Sequence, residues 1–225
     1  MEAQMILADF FHEGQNSDNG AAMSQYMKNR FPFFGIKTPE RRKIMSRFFK
    51  ETNLHKQPFS QELCWSLWDN EEREWQYAAL DYAVRYTGKF DQNDMDFLKK
   101  LITDRSWWDT VDTIAVKLVG DIVLRYPELV SERMDSWSKS ENLWLRRTAI
   151  LHQLHYKTQT KENVLYGYIM DNAESKEFFI QKAIGWALRE YSKTNPQSVA
   201  NFLRIHKVAP LSLREGSKYI TMEDR

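Results

Sequence analysis

The sequence repeats itself with a period close to 35 residues, and this periodicity limits the chain to a narrow set of folds. Three stretches, which begin at Glu74, Leu143 and Glu177, align without gaps, and Trp108 to Asp112 fits the same frame. The equivalent positions are 34, 36 and 35 residues apart: Ala78, Asp112, Thr148 and Ala183. A repeat of this length with two helices per period is typical of HEAT-like α-solenoids.

The rest of the pattern predicts helices and no strands. No segment alternates apolar and polar residues for long enough to indicate a β-strand. Beyond Ser60, helical periodicity and boundary residues predict helices at 60–69, 72–86, 92–103, 106–125, 127–138, 142–157, 161–172, 176–192, 196–206 and 210–220. The predicted fold class is therefore all-α, a solenoid of HEAT-like helical pairs with a concave face. We expect residues 1–225 to form a single repeat domain.

The N-terminal region is less regular. Residues 13–20 are the most turn-like segment of the chain, and we expect a loop there. A helix is then expected to pass through Met23 and Tyr26 and to end near Arg30. A further helix is predicted from Thr38, with Thr38 as the N-cap and Pro39 as the first helical residue.

Composition excludes several classes of protein. There are 32 basic and 31 acidic residues, so any basic surface must be segregated onto one face. The one cysteine, Cys64, rules out a disulfide framework and is expected to be buried and inert. The five histidines show no metal-ligand spacing, and we expect no metal and no cofactor. Met1 to Glu13 lacks the features of a signal peptide or membrane span, which predicts a cytoplasmic protein with no membrane partner.

The phase of the repeat separates two stripes of side chains. One stripe is mostly apolar and is predicted to form the core; it holds Ala79, Leu80, Ala83, Val84, Ile114, Leu118, Ala149, Ile150, Leu154, Ile184 and Leu188. The other stripe brings Trp108, Asp112, Arg147 and Trp186 from three successive repeats towards one surface. Aromatic residues at helical spacing usually serve packing, but packing alone explains poorly a stripe that mixes tryptophans with ionisable groups.

Cations accompany these tryptophans and suit a partner that is rich in phosphates and aromatic rings. Arg147, Lys182, Arg189 and Lys193 are the candidates for phosphate contacts, and indole faces offer stacking to bases and sugars. The start of the helix at Thr38 also carries Lys37, Arg41 and Arg42, which could bind phosphate together with the backbone N–H groups. A solvated basic first turn explains that second cluster equally well.

Asp112 is unexpected beside cations that would bind phosphates, because a carboxylate repels phosphate. It makes sense if a positive charge must be stabilised at that point. Hydrolysis of an N-glycosidic bond passes through an oxocarbenium-like sugar cation, and a base that is already cationic leaves without a general acid. Asp112, flanked by Trp108 and Trp186, could stabilise that cation and orient a water molecule.

Four separated motifs also resemble the AlkD-type DNA alkylation-repair glycosylases, a family with HEAT-like repeats. The motifs lie at residues 35–42, 106–112, 142–147 and 176–191, and the resemblance runs from about Met23 to about Lys218. It implies removal of cationic N3- and N7-alkylated purines, such as 3-methyladenine and 7-methylguanine, from double-stranded DNA. The family's catalytic Asp and two Trp fall on Asp112, Trp108 and Trp186, and its backbone-contacting Arg falls on Arg147.

The resemblance also implies that the base is not extruded into a pocket before it is released. Two positions depart from the pattern of the family: Lys37 stands where the family has an uncharged Gln, and His155 stands where it has a Lys. Both departures bear on DNA affinity more than on chemistry. We expect a monomer that acts on alkylated double-stranded DNA in base-excision repair.

Two other functions remain open. A relative that binds unusual DNA structures without cutting them would keep the cations but should lose the Asp–Trp set, which this chain retains. A HEAT-like scaffold for protein partners would line its concave face with scattered polar and apolar residues, without clustered cations.

Overall fold

The computed structural model describes residues 2–221, which divide into two compact units at the bond between Tyr86 and Thr87. Within the described residues there are helices and no β-strand, and this confirms the predicted all-α class. None of the helices in that range is long and apolar enough to cross a membrane. The single domain predicted for residues 1–225 stays a prediction, and residues 1 and 222–225 lie outside the described part.

The described residues of the N-terminal unit form five α-helices, and their bounds are α1 Glu2–Gly14, α2 Ser17–Tyr26, α3 Thr38–Thr52, α4 Gln61–Trp68 and α5 Arg73–Val84. A short 3₁₀ turn, Leu54–Lys56, follows α3. Helices α1 and α3 pack together, as do α4 and α5. Cys64 is fully buried between α4 and α5 and its thiol lies 3.5 Å from the carbonyl oxygen of Ala79, as expected for an inert thiol.

Two predictions for this unit are wrong. The loop expected at residues 13–20 is only two residues long, because α1 continues to Gly14 and α2 begins at Ser17. The side chain of Asn16 caps α2 by accepting from the backbone N–H of Asn19 at 2.9 Å. Thr38 is the first residue of α3 and not its N-cap; Lys37 holds the cap position and makes no side-chain capping bond.

The helices of the C-terminal unit are α6 Met95–Thr103, α7 Trp108–Thr113, α8 Gly120–Arg125, α9 Asp135–Ser138, α10 Leu143–Leu151, α11 Glu162–Asp171, α12 Phe178–Ser192, α13 Pro196–Ile205 and α14 Pro210–Gly216. The 3₁₀ turns are Thr87–Lys89, Gln92–Asp94 and Lys157–Gln159. Asparagines cap two of these helices: Asn142 accepts from Trp144 and Leu145 at the start of α10, and Asn195 accepts from Ser198 at the start of α13.

Helices that occupy the same place in successive repeats stack on one another in this unit. Helix α10 packs against α7 and against α12, and α12 packs against α14. The predicted core stripe lies between them, since Ile114, Leu118 and Leu188 are fully buried and Ile150 and Ile184 are 1% exposed. The stacking therefore follows the 35-residue period, as an α-solenoid of helical repeats requires.

The helix that carries Trp108 and Asp112 is interrupted by a π-helical segment, Ile114–Val119, between α7 and α8. A second π-helical segment, Val130–Met134, precedes α9. Gly120 follows the first segment, and a Cβ atom there would lie 2.4 Å from the carbonyl oxygen of His152. Only glycine lets the two backbones come so close.

Candidate functional site

Asp112 and Arg147 form a buried ion pair between α7 and α10. The Nε atom of Arg147 donates to Oδ1 of Asp112 at 2.7 Å, and its Nη2 atom donates to Oδ2 at 2.8 Å. The Arg147 side chain is 5% exposed and that of Asp112 is 13% exposed. This two-bond arrangement is the strongest geometry for a carboxylate and a guanidinium, and it fixes the carboxylate plane.

The third repeat takes part through its backbone. The remaining nitrogen of Arg147, Nη1, donates to the carbonyl oxygen of Phe179 in the first turn of α12. One guanidinium thus joins three successive repeats, and it brings the predicted residues Asp112 and Arg147 into direct contact. The Arg147 guanidinium is directed at protein groups here, so its predicted contact with a DNA phosphate stays a prediction.

Burial and pairing act in opposite directions on Asp112. Burial raises the pKa of the Asp112 carboxyl, while the hydrogen bonds and the positive charge of Arg147 lower that pKa. A carboxylate that has lost most of its water interacts strongly with any cation placed beside it, since the surrounding dielectric is low. The exposed fraction of the Asp112 side chain is small, so a cation can approach the carboxylate only from a narrow range of directions.

The aromatic residues at α7, α10 and α12 divide into a packed group and a partly exposed group. The packed group is Trp107, Trp144 and Phe179: the Trp107 ring lies 5.7 Å from that of Trp144 and 4.8 Å from that of Phe179. Trp107 and Trp144 are 8% and 9% exposed. The two predicted catalytic tryptophans, Trp108 and Trp186, are both partly exposed on α7 and α12.

The predicted stripe is accordingly not one open surface. Trp144, Arg147 and Thr148 are buried on α10, whereas Trp108 and Trp186 keep part of their surface accessible. Helical phase indicates direction, but side chains as long as these reach the neighbouring helix and bury themselves there.

Two predicted phosphate-binding cations, Lys182 and Arg189, lie on α12, and a third, Lys193, directly follows its last residue; each has an acidic neighbour. Lys182 and Arg189 both pair with Glu215 of α14, at 3.4 and 2.9 Å. Lys193 pairs with Glu190 at 2.6 Å, and its Nζ atom lies 5.3 Å from the centre of the Tyr219 ring. All three lysine and arginine side chains keep between 28% and 45% of their surface exposed.

The other predicted DNA contacts lie at the start of α3 in the N-terminal unit. Lys37, Thr38 and Arg42 are exposed there. Arg41 is different, because its Nε atom pairs with Asp81 at 3.1 Å and its guanidinium lies 4.7 Å above the centre of the Tyr77 ring.

The buried carboxylate of Glu74 holds the backbone of residues 34–36, the connector that leads into α3. The backbone N–H groups of Phe34, Gly35 and Ile36 donate to Glu74 at 3.1, 2.9 and 3.0 Å. Burial raises the pKa of Glu74, and the backbone hydrogen bonds oppose that shift. Gly35 has φ 89°, in the region that favours glycine, and a Cβ atom there would lie 1.9 Å from the carbonyl oxygen of Asn16.

Sequence reasoning did not assign a role to Glu74 or Glu215. Glu74 is a charged residue of the kind that is usually exposed, yet it is fully buried. Its partners lie about 40 residues earlier, and no local pattern connects them. For Glu215 the usable signal is the spacing of three residues to Lys218, which brings the two side chains together at the end of α14.

Comparison with known proteins places this geometry in a family. The model of the family described as "DNA alkylation repair enzyme" matches residues 8–220. A solved structure of a predicted DNA alkylation repair enzyme from Enterococcus faecalis is 37% identical; the match covers 92% of this chain and 97% of that chain, with a TM-score of 0.84. The solved structure of smu.31 from Streptococcus mutans UA159 is 20% identical over 80% of this chain and 100% of its own, with a TM-score of 0.60, and shows the fold alone.

None of the curated proteins matches the chain at a significant level. The family match spans both compact units, and the Enterococcus structure agrees with it in identity and coverage. Both findings support a role in the repair of alkylated DNA. The chain belongs to the DNA alkylation repair enzyme family.

Proposed function

We propose that this protein is a DNA glycosylase that releases cationic N3- and N7-alkylated purines from double-stranded DNA. The observation that carries the proposal is the Asp112–Arg147 pair, a dehydrated carboxylate held in a fixed plane. The partly exposed Trp108 lies one helical turn before Asp112 on α7, and the partly exposed Trp186 lies on α12, the helix that Arg147 also contacts. Membership of the DNA alkylation repair enzyme family supports the substrate class. The specific lesions 3-methyladenine and 7-methylguanine come from the resemblance to AlkD-type glycosylases.

The reaction needs little from the protein besides charge and position. The bond between C1′ of the deoxyribose and the purine nitrogen breaks, and its electron pair goes to the base, which leaves as a neutral molecule. A water molecule adds to C1′ and loses one proton to solvent. Positive charge builds up on the sugar in the transition state, and a fixed negative group next to that charge lowers the barrier.

Each side chain has a role in this scheme. The Asp112 carboxylate stabilises the sugar cation and orients the water molecule. Trp108 and Trp186 contact the deoxyribose of the lesion and exclude bulk water from it. Arg147 is a positioning residue, because its two hydrogen bonds hold the Asp112 carboxylate in one orientation. The absence of a general acid is no obstacle, since the alkylated base carries its own positive charge.

The proposed contacts with the DNA backbone are Lys182 and Arg189 on α12, Lys193 directly after that helix, Arg147 on α10, and Lys37, Thr38, Arg41 and Arg42 at the start of α3. The protein is proposed to act as a monomer without a cofactor. A non-catalytic DNA-binding relative accounts for the cations but not for the buried carboxylate with the two tryptophans, and a protein scaffold accounts for neither.

The direct test is release of free base from methylated double-stranded DNA, separated by lesion type. Asp112→Asn should lower the single-turnover rate for 7-methylguanine by about 100-fold or more, equivalent to about 3 kcal/mol of barrier. Asp109→Asn is the matched control, three residues earlier on the same helix, and should change the rate by less than about threefold. Excision by the Asp112→Asn protein at the wild-type rate would remove Asp112 from the mechanism.

A further inference from the structure

A single carboxylate gathers three cations beside α12. Oε2 of Glu215 accepts from Nη1 of Arg189 at 2.9 Å and from Nζ of Lys218 at 2.8 Å. Nζ of Lys182 lies 3.4 Å from Oε1 of the same residue. The Glu215 side chain is 10% exposed, whereas the three cations keep 28% to 48% of their surface open to solvent.

Two glycines, Gly185 on α12 and Gly216 on α14, let these helices approach closely, and this brings Glu215 to its position. A Cβ atom at Gly185 on α12 would lie 2.6 Å from the Cβ of Glu215, and one at Gly216 would lie 2.9 Å from the Cβ of Leu188. Helices α12 and α14 approach so closely because neither position carries a side chain. Ser212 adds a hydrogen bond to the carbonyl oxygen of Gln181 at 2.8 Å.

The charge of this group is positive in spite of the carboxylate. Three cations surround one anion, so two positive charges are left over. The hydrogen bond from Lys218, foremost, lowers the pKa of Glu215, which keeps the carboxylate ionised at neutral pH. Without that anion the three cations would repel one another and spread apart.

The arrangement suits the oxygen of a phosphodiester. Arg189 and Lys218 already converge on one oxygen, and a phosphate oxygen accepts from cations in the same way. Long side chains lose rotamer freedom when they bind, and prior ordering reduces that loss. Lys182 and Arg189 flank Trp186 on α12, so a phosphate here would lie close to the proposed lesion site.

We propose that Lys218, Lys182 and Arg189 form one phosphate-binding cluster for the DNA backbone, and that Glu215 positions its three cations. The proposal rests on the proposed function for its ligand, double-stranded DNA. It adds Lys218 as a DNA contact and makes α14 part of the DNA-binding surface. A plain ion-pair network between α12 and α14 is the alternative, and it predicts no effect of Lys218 on DNA affinity.

The test uses the full chain and an undamaged duplex oligonucleotide, so that binding is measured without base release. Lys218→Gln should raise the Kd about fivefold at physiological salt and should reduce the slope of log affinity against log salt by about one. Lys207→Gln, at an exposed lysine in the same unit, is the matched control and should leave both values nearly unchanged. If Lys207→Gln and Lys218→Gln changed the Kd and the salt slope by the same amount, the proposed phosphate-binding cluster would be overturned.

Glu215→Gln tests the positioning role. In that background the effect of Lys218→Gln on the Kd should shrink to less than about twofold, because Lys218 is no longer held beside Arg189. An undiminished effect would overturn the positioning role. The thermal unfolding midpoint of each variant separates loss of fold from loss of binding.

The outcomes also separate this proposal from the glycosylase proposal. Base release with an unaffected Kd for Lys218→Gln would overturn the cluster and leave the glycosylase. A large effect of Lys218→Gln on binding without any base release would support the cluster and overturn the glycosylase. No binding to duplex DNA at all would overturn both.

Discussion

Arg147 holds Asp112 by two parallel hydrogen bonds of 2.7 and 2.8 Å while its third nitrogen binds the backbone of the next repeat. The carboxylate on α7 is therefore oriented by a side chain from α10 that is itself fixed by α12. A fixed carboxylate needs no reorganisation when positive charge develops beside it. The same pair makes Arg147 important for stability, since its removal leaves a buried negative charge without a partner.

This relationship gives a first prediction, on stability. Arg147→Ala should lower the free energy of unfolding by about 3 kcal/mol, because Asp112 would stay buried without its partner. Arg146→Ala is the matched control: Arg146 is the adjacent residue and donates to the carbonyl oxygens of Ser140 and Glu141. Arg146→Ala should lower the free energy of unfolding by about 1 kcal/mol. Urea denaturation measures both, and equal losses would argue against the special role of the pair.

The pH dependence of excision gives a second prediction. The proposed mechanism needs an ionised Asp112, and burial raises the pKa of that group above its usual 3.8. We therefore expect the single-turnover rate to fall as the pH falls through a value above 3.8. The same shift lowers stability as the pH rises from the unfolded pKa to the folded one, since the fold favours the protonated form.

Arg147→Lys provides the check on this profile. A lysine keeps a positive charge but loses the two-bond geometry, so the acid limb should move to higher pH as the opposing effect of Arg147 weakens. Each rate is corrected for the spontaneous release of the alkylated base, measured at the same pH without protein. Circular dichroism checks that both proteins are folded at each pH. If the rate fell at the same pH in both proteins, the acid limb would not report the ionisation of Asp112.

The two kinds of tryptophan give a third prediction. Trp186→Ala should lower the single-turnover rate by at least about tenfold and cost less than about 2 kcal/mol of stability, because its ring is partly exposed. Trp107→Ala should instead cost about 3 kcal/mol or more, because that ring packs between Trp144 and Phe179. Excision rates and urea unfolding of both variants separate the two roles. If Trp107→Ala mainly lowered the excision rate and Trp186→Ala mainly lowered stability, the two assigned roles would be wrong.

The connector before α3 gives a fourth prediction. Glu74→Gln should destabilise the protein by about 2 kcal/mol, because the amide NH₂ would face a backbone N–H that now donates to the carboxylate. Gly35→Ala should cost more than about 2 kcal/mol, since its Cβ would meet the carbonyl oxygen of Asn16 and its φ is 89°.

Gly88→Ala is the control for the second of these variants, because a Cβ atom at Gly88 would meet nothing within 4 Å. It should change the free energy of unfolding by less than about 0.5 kcal/mol. A Gly35→Ala protein as stable as Gly88→Ala would contradict the clamped connector.

Much of this architecture follows from local pattern. The predicted helices beyond Ser60 agree with the observed ones to within a few residues at most ends, because apolar periodicity is written along each helix. The phase of the repeat also brought Asp112 and Arg147 to one stripe, and the two are in contact. Trp107 lies off that stripe, and it is buried.

Contacts between residues far apart in the chain do not follow from local sequence pattern. The sequence indicates which direction Arg147 and Glu74 take from their helices, but not that Arg147 ends on Asp112 or that Glu74 collects backbone N–H groups from residues 34–36. Such contacts depend on how closely helices approach. At Gly35, Gly120 and Gly185 that distance is set by a missing side chain, which apolar periodicity does not register.

The π-helical segment Ile114–Val119 has a consequence for how the site can be altered. A π-helical turn accommodates one more residue than the α-helix it replaces, and the spacing from Asp112 to Thr148 is the longest of the three repeat intervals. The extra residue is taken up by the wider π-helical turn, so the helix on either side keeps its phase and Asp112 faces Arg147. Removal of a single residue from this segment would therefore leave a regular helix and would change the direction of Asp112 little, whereas removal of one residue from the regular helix α8 would rotate the two sides by about 100° relative to one another. The π-helical segment is thus the place in this repeat where the length of the chain can change by one residue while the carboxylate stays against Arg147.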